Sequence, residues 1–237
     1  MNAFRKLFAV SPQEIKEDVI ITPFLSPEYF NKDAKNKIKK GFLFETLNGD
    51  GFSVVKTGVG ASFVGDALIY LKQTKAKRVY FIGSCGAVSG LNIGDLVLVR
   101  QALNLESFSG VLKRSVGSVF LNAENALYKK FLKLDRGIRE VKLATVGSLS
   151  LQKSILPLLK NRAIDVVDME VSAFISAVRF LKFSHLALLY VTDNVQGRLF
   201  CRKLTPAERL SIKKSRHKAV SLICDFITRQ NASRKLS

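Results

Sequence analysis

The sequence predicts a single α/β domain with a mixed central sheet, spanning residues 1–237. Apolar runs typical of buried strands alternate with amphipathic stretches along the chain, which is the pattern of α/β proteins. Asn48 and Gly49 lie between two alternating segments and indicate an antiparallel hairpin, so the sheet is expected to contain both strand directions. With 237 residues and 47% hydrophobic side chains, the chain can bury one large core.

The elements are predicted from the apolar runs and the turn residues between them. Strands are expected at residues 18–23, 41–47, 51–57, 78–82, 95–99, 140–146, 163–168 and 185–193, and helices at 58–71, 123–134, 153–161, 170–181 and 205–229. Residues 83–86 are expected to form a Gly-rich turn between the strand at 78–82 and a partner strand at 95–99. Residues 1–15 and 230–237 are expected to be frayed.

The chain is strongly basic, with a formal net charge of +19. Such a charge is typical of proteins that bind a polyanion, such as nucleic acid or an anionic membrane. Here the basic residues are spread over the whole chain, and no basic run is interleaved with aromatic residues as in single-strand binders. We therefore expect a protein that acts on small molecules, with no nucleic acid or membrane partner.

The cysteines and the N-terminal residues predict a cytoplasmic location. Cys85, Cys201 and Cys224 are widely spaced, which indicates reduced thiols with neither a disulfide framework nor a metal site. Residues 1–10 contain a basic pair but only a short apolar stretch, so a signal peptide is not expected. No apolar run approaches the length of a membrane span.

Polar side chains follow three of the predicted strands. Ser84, Glu170 and Asp193 each come at or just after a strand end, where open α/β sheets bind ligands. Taken singly, Glu170 could be an acid that favours a helix N-terminus, and Asp193 could be a turn residue. Together they predict a polar site at this edge of the sheet.

Five ordered motifs carry a resemblance to a known family. They are Thr-Gly-Val-Gly at 57–60, Gly-Ser-Cys-Gly-Ala-Val at 83–88, Ile-Gly-Asp-Leu-Val at 93–97, Asp-Met-Glu-Val-Ser-Ala at 168–173 and Val-Thr-Asp at 191–193. Their order and spacing resemble the purine nucleoside phosphorylase / uridine phosphorylase family, which includes the methylthioadenosine and S-adenosylhomocysteine nucleosidases. The second motif, and Thr-Pro-Ala-Glu-Arg at 205–209, are most similar to the bacterial hexameric purine nucleoside phosphorylases. The resemblance implies a three-layer α/β/α fold.

The resemblance also implies a role for each candidate site residue. Asp193 would protonate the purine base or hold it at N7, and Arg209 would assist Asp193. Met169 would pack on the ribose, Glu170 would bind its hydroxyls, and Ser84 would contact ribose or phosphate. Further implied residues are Cys85, Gly86, Leu149 and Val167 on the base side, and Gly60, Ser84 and Glu28 on the phosphate or water side.

The chain departs from the family at two phosphate-binding positions. Phe81 stands where phosphorylases have an arginine two residues before the glycine of the Gly-Ser-Cys-Gly motif. Residues 23–29 replace a second segment that carries a glycine and an arginine, and Glu28 there would repel phosphate. The glutamate motif with which nucleosidases activate water is also absent, and Glu28 is the nearest candidate for that role.

Three functions follow from these observations. Hydrolysis of a purine nucleoside by Asp193 and Glu170 is favoured narrowly, because the phosphate-binding arginines are lost. A phosphorylase with phosphate held by other basic groups, such as Lys56, Arg100 or Arg198, is the first alternative, and an inactive ligand- or partner-binding member is the second. No cofactor is expected, phosphate being a co-substrate only in a phosphorylase, and the family resemblance implies a homo-oligomer, either a dimer or a hexamer.

Overall fold

The computed structural model describes residues 3–31, 36–106, 119–135, 137–149, 155–197 and 202–235. The strands are β1 (Asp18–Thr22), β2 (Lys39–Lys40), β3 (Glu45–Asn48), β4 (Phe52–Lys56), β5 (Arg78–Ala87), β6 (Leu96–Leu105), β7 (Phe120–Asn122), β8 (Arg139–Val146), β9 (Val166–Asp168) and β10 (Ser184–Asn194). The helices are α1 (Ala3–Phe8), α2 (Ala61–Leu71), α3 (Ala126–Leu134), α4 (Leu156–Asn161), α5 (Val171–Phe180) and α6 (Pro206–Lys235), with short 3-10 turns at Pro12–Glu14 and Pro27–Phe30.

The strands form one mixed sheet whose central part closes on itself. Their order is β10-β6-β8-β9-β5-β1-β4-β3-β2, with β7 beside β6, and β5 also pairs with β10. The strands β5, β10, β6, β8 and β9 therefore form a ring, and β1, β4, β3 and β2 extend from it. β3 and β4 form the antiparallel hairpin predicted from Asn48 and Gly49, whereas β1 and β10 run parallel to β5.

Helices cover both faces of the sheet, which confirms the three-layer α/β/α prediction. One face packs against α2 and α5 in a core that includes Val64, Leu68 and Phe174. The opposite face packs against α3 and α6 around side chains such as Phe131 and Ile223. Each face of the sheet therefore forms one side of a separate hydrophobic core.

The structure corrects the prediction of a turn at residues 83–86. These residues lie inside β5, and β10 pairs with them in parallel from Ser184 opposite Arg78 to Asn194 opposite Ala87. The predicted pairing between the strand at 95–99 and the strand at 78–82 is also wrong, because β10 lies between β5 and β6. Local sequence signals a glycine-rich bend, whereas hydrogen bonds from a strand about a hundred residues later keep the segment extended.

Both chain ends described by the structure are more ordered than the sequence suggests. Phe4 and Phe8 of α1 are fully buried, with ring centroids 4.2 Å apart, and Phe8 also packs on Phe44. At the other end, α6 continues past residue 230, and the Asn231 side chain donates to the Gly51 carbonyl over 3.4 Å. The expectation of fraying therefore does not describe residues 3–15 or 230–235. In the described ranges, no helix combines the length and apolarity needed to cross a membrane.

Candidate functional site

A cavity of about 560 Å³ lies at the ends of β5, β9 and β10. This volume is in the range of small-molecule sites. One side, here called the sheet wall, consists of Ser84, Cys85, Gly86, Val167, Asp168, Met169, Glu170, Thr192 and Asp193. The other side, the helix wall, consists of Arg202, Leu204, Arg209, Ile212 and Arg216 from α6 and the segment before it. Phe24, Val59 and Leu149 complete the lining.

Most of the site residues predicted from the sequence meet in this cavity. Its lining includes Asp193, Arg209, Met169, Glu170, Ser84, Cys85, Gly86, Leu149 and Val167. Gly60 does not line the cavity, but its N–H donates to Glu170 Oε1 over 2.7 Å. Glu28 lies exposed on the 3-10 turn at Pro27–Phe30 and is not part of the lining, so the structure does not bring it to the site.

Asp193 is held at the end of β10 with little contact to water. It pairs in register with Gly86, and a Cβ on that glycine would lie 3.0 Å from Asp193 Oδ2, so a larger residue would crowd the carboxylate. Thr192 Oγ1 donates to Asp193 Oδ1 over 2.9 Å. Burial raises the pKa of Asp193, against the effect of the Thr192 hydrogen bond, because the charged form loses its hydration.

Glu170 is positioned by Asp168. The Asp168 carboxylate accepts hydrogen bonds from Thr145 Oγ1 at 2.7 Å and from the N–H groups of Glu170 at 3.0 Å and Val171 at 2.6 Å, which fixes the start of α5. The Glu170 side chain, 5% exposed, then reaches the N–H of Gly60. Burial, and after it the nearby Asp168 carboxylate, raise the pKa of Glu170.

Cys85 lines the sheet wall together with the acids. Burial, followed by the charges of Asp168 and Asp193, raises the pKa of its thiol. The thiol is therefore protonated at neutral pH and is a poor nucleophile. Because β5 pairs with both β9 and β10, Asp168 at the end of β9, Glu170 just after it and Asp193 near the end of β10 line one cavity. Among the described residues, no group of three or more His, Cys, Asp or Glu side chains could hold a metal ion.

The three arginines of the helix wall have different partners. Arg209 donates from Nε and Nη2 to the Leu204 carbonyl over 3.2 and 3.1 Å, and it forms no ion pair with Asp193. Arg202 forms an ion pair with Glu208. Arg216 donates from Nε to the Tyr190 hydroxyl over 3.2 Å. The charged residues that α6 contributes to the cavity lining, Arg209 and Arg216, are both hydrogen-bond donors.

Sequence reasoning identified Arg209 on the helix wall but missed two other arginines, Arg202 and Arg216. A signal for Arg216 was present, since Arg209, Ile212 and Arg216 follow one another at spacings of three and four residues and so share a helix face. Arg202 lies in a segment without periodicity, and nothing local marks it. Thr192 was also overlooked, although it adjoins Asp193.

The two departures from the phosphorylase pattern have structural counterparts. Phe81 is fully buried against Phe174, with ring centroids 5.3 Å apart, and does not line the cavity. Phe24 is 38% exposed and lines the cavity with an apolar ring. Lys56 forms an ion pair with Glu45, and neither Lys56 nor Arg100 lines the cavity, whereas Arg198 lies outside the described residues.

Residues 9–229 match the family model of the phosphorylase superfamily. The chain belongs to this superfamily. The match covers most of the chain and includes every residue of the sheet wall and the helix wall. The predicted enzyme class, that of nucleoside phosphorylases and nucleosidases, is confirmed by this membership.

Solved structures of superfamily members show the same fold. Uridine phosphorylase from Vibrio fischeri ES114 matches with a TM-score of 0.75 and 18% identity, over 92% of this chain and 94% of that one. Purine nucleoside phosphorylase from Toxoplasma gondii, in complex with immucillin-H, matches with a TM-score of 0.70 and 19% identity, over 88% of this chain and 90% of that one. The 5'-methylthioadenosine/S-adenosyl homocysteine nucleosidase from Campylobacter jejuni matches with a TM-score of 0.71 and 13% identity, over 90% of this chain and 98% of that one. Among curated proteins, no significant match is found.

Proposed function

We propose that this superfamily member cleaves the N-glycosidic bond of a purine nucleoside with water as the nucleophile. The observation that carries this proposal is the placement of Glu170 and Asp193, both buried, on one wall of a single cavity. Breaking this bond builds positive charge on the sugar and negative charge on the leaving base. Two separately positioned carboxyl groups suit these two needs.

Asp193 is the proposed general acid. The leaving base needs a proton in the transition state, and an acid works best when its pKa lies near the working pH. A free aspartate, with a pKa of about 3.9, would be ionised at neutral pH. Burial raises the pKa of Asp193, which favours the protonated form that can donate. Arg209 lines the same cavity as Asp193, and its positive charge is proposed to stabilise negative charge on the base.

Glu170 is proposed to bind the ribose. Its carboxylate accepts from the N–H groups of Gly60 and Met169, and its remaining lone pairs can accept from sugar hydroxyls. Met169 would pack on the apolar side of the ring, and Ser84 would face the attacked carbon. Burial raises the pKa of Glu170 to about 8, so the ionised form that stabilises the developing positive charge of the sugar increases as the pH rises toward that value.

Water is favoured over phosphate because the arginines of the phosphorylase pattern are missing at two positions, Phe81 and residues 23–29. Phosphate bears up to two negative charges and is usually held by arginine. Phe81 faces the core and Phe24 offers only an aromatic ring at the cavity. Glu28, which does not line the cavity, is not proposed to activate the water.

The proposal is tested by following free base after incubation with inosine, adenosine or methylthioadenosine, with and without phosphate. Release that is independent of phosphate supports hydrolysis. Strict dependence on phosphate would show a phosphorylase, and no release from any nucleoside would favour a binding protein.

Self-association is proposed from the family resemblance. Phe24 and Val59, which line the cavity, and Phe63 on α2 are 38%, 52% and 43% exposed, and they support it because exposed apolar side chains gain from being covered. Light scattering coupled to gel filtration would distinguish a monomer from a dimer or a hexamer.

A further inference from the structure

Basic residues from separate parts of the chain meet on one outer face of the molecule. Helices α3 and α6 cover the same side of the sheet, where Phe131 and Phe226 pack with ring centroids 5.2 Å apart. Asp135, at the end of α3, pairs with Lys218 of α6 over 3.6 Å, so the two helices are also neighbours at the surface. The exposed cations here, called the basic face, are Lys129, Lys130, Lys133, Arg139, Lys214 and Lys218.

The spacing of these residues directs them to solvent. α3 buries Leu127 and Phe131 against the sheet, and with 3.6 residues per turn its three lysines fall on the opposite side of the helix. On α6, Lys214 and Lys218 are four residues apart and therefore lie on one side of the helix. Both helices thus bury an apolar side and expose a cationic one.

Arg139 joins the basic face through a second cavity, of about 530 Å³. Its lining includes Arg139 at the start of β8 together with Lys214 and Lys218 of α6. Asp95 also lines this cavity, and its carboxylate accepts from the N–H of Asn92 over 2.8 Å. Three cations therefore surround a recess in the surface, which a phosphate group can enter.

Acidic side chains compensate only part of the charge. Lys218 pairs with Asp135 over 3.6 Å and Arg139 pairs with Asp165 over 3.5 Å, and exposed ion pairs of this kind contribute little. Among the described residues, the other four cations of the basic face form no ion pair. α3 contains three lysines and no acid, and α6 contains eight Lys and Arg residues against two acids. The face is therefore positive and suits a polyanion.

The composition of the basic face distinguishes between polyanions. Among the described residues of α3, and of α6 after Leu210, no large apolar side chain is exposed. Helices that bind membranes insert such side chains between the lipids, and single-strand binders stack the bases on aromatic rings. Lysine and arginine alone suit the phosphates of a duplex, which carries one negative charge per about 1.7 Å of its axis.

We propose that the basic face binds the phosphate backbone of double-stranded nucleic acid without reading its sequence. This proposal replaces the expectation of no nucleic acid partner, which was drawn from the spread of basic residues along the chain. Residues far apart in the sequence become neighbours on the folded surface. The proposal does not depend on the cleavage of a nucleoside, because binding is measured without turnover.

The first experiment compares two double variants that lose the same charge. Lys133→Gln/Lys214→Gln alters the basic face, whereas Lys72→Gln/Lys75→Gln alters exposed lysines at the end of α2, which packs on the opposite side of the sheet. Binding to a labelled DNA duplex of about 20 base pairs and mixed sequence is followed by fluorescence anisotropy at about 50 to 200 mM salt.

The basic-face variant should bind the duplex about tenfold more weakly at low salt, and its slope of log K against log salt should be smaller by about 2. The α2 variant should differ from wild type by less than about twofold, since its lysines do not contact the duplex. An equal loss in both variants would show attraction by net charge alone and would overturn the proposal. The absence of duplex binding by wild type at the lowest salt would overturn it as well.

The second experiment tests the class of the polyanion. Wild-type binding is compared for the same duplex, for one of its single strands, and for vesicles of phosphatidylserine and phosphatidylcholine. We expect the duplex to be bound most tightly, because the basic face offers cations without exposed apolar or aromatic side chains. Tighter binding to the single strand, or to the vesicles, would overturn the assignment to a duplex.

Discussion

One wall of the cavity carries acids and the other carries arginines, and the two walls hold these groups in different ways. On the sheet wall, Glu170 and Asp193 are 5% and 7% exposed and are fixed by neighbouring strands and backbone N–H groups. On the helix wall, Arg209 is exposed, and among the described residues its guanidinium donates only to the carbonyl of Leu204, five residues earlier. The acids, whose pKa values burial raises, lie on the buried wall. The arginines, which stay charged, lie on the more exposed wall.

The largest effect is expected from Asp193→Asn on the sheet wall. Asparagine keeps the shape and cannot donate an acidic proton, so kcat for base release should fall by about 10²–10⁴. The measurement is steady-state release of hypoxanthine from inosine. Asp66→Asn, at an exposed position on α2 outside the cavity, is the control and should behave as wild type. Turnover of Asp193→Asn within a few fold of wild type would exclude the acid role.

Glu170→Gln should have the next largest effect. The variant can still hydrogen-bond to ribose but cannot ionise opposite the developing sugar cation, so kcat measured at pH 8, near the raised pKa of Glu170, should fall by about 10²-fold. Glu28→Gln is the matched control, and it also tests the sequence-based role of Glu28 on the water side. An equal loss in both variants would show that Glu28 acts in the reaction despite its place outside the cavity.

Gly94→Ala should disturb the helix wall and leave the sheet wall intact. Gly94 has a φ of +95°, and a Cβ there would lie 2.0 Å from Ser211 Oγ, which itself donates to the Ile93 carbonyl. The strained backbone and the displaced helix should cost about 1–3 kcal/mol and lower Tm by several degrees. Gly147→Ala, which meets no atom within 4 Å, should leave Tm nearly unchanged. Similar Tm values for the two variants would show that this loop does not support α6.

The smallest effect is a pH-dependent gain of stability in the two acid variants. Because burial raises the pKa of Asp193 and of Glu170, the folded chain binds these protons more tightly than the unfolded chain. Wild-type stability should therefore fall as pH rises above about 4, the ordinary carboxyl pKa, through the raised values. At neutral pH, Asp193→Asn should melt roughly 2–4 °C higher than wild type, about 1 kcal/mol in a domain of this size. Thermal melts at pH 4 and pH 7.5 provide the check, and a lower Tm of the variant at pH 7.5 would contradict it.

The sheet wall was largely predictable from the sequence. Its residues follow apolar runs, and the strand-end position of Glu170 and Asp193 could be inferred before any coordinates. The path of β5 through residues 83–86 could not, because the glycines there signal a turn and only pairing with β10 overrides that signal. The sequence likewise could not reveal that β10 separates β5 from β6.

The helix wall was predictable only at Arg209. The orientation of α6 across the sheet depends on contacts far apart in the chain, such as that between Ser211 and Ile93. The Arg216 side chain is held by the hydroxyl of Tyr190, which lies twenty-six residues earlier in the chain on β10. Glu28 follows a strand end in the sequence and was therefore predicted to lie at the site. It lies instead on a short 3-10 turn outside the cavity lining.

The most direct test of this account is a crystal structure with a C-nucleoside analogue of inosine, whose glycosidic bond cannot be cleaved. We predict that the ribose hydroxyls lie within hydrogen-bond distance of Glu170 while Asp193 faces the base. A ligand bound outside the cavity, or one with its sugar at Asp193 and its base at Glu170, would contradict the account.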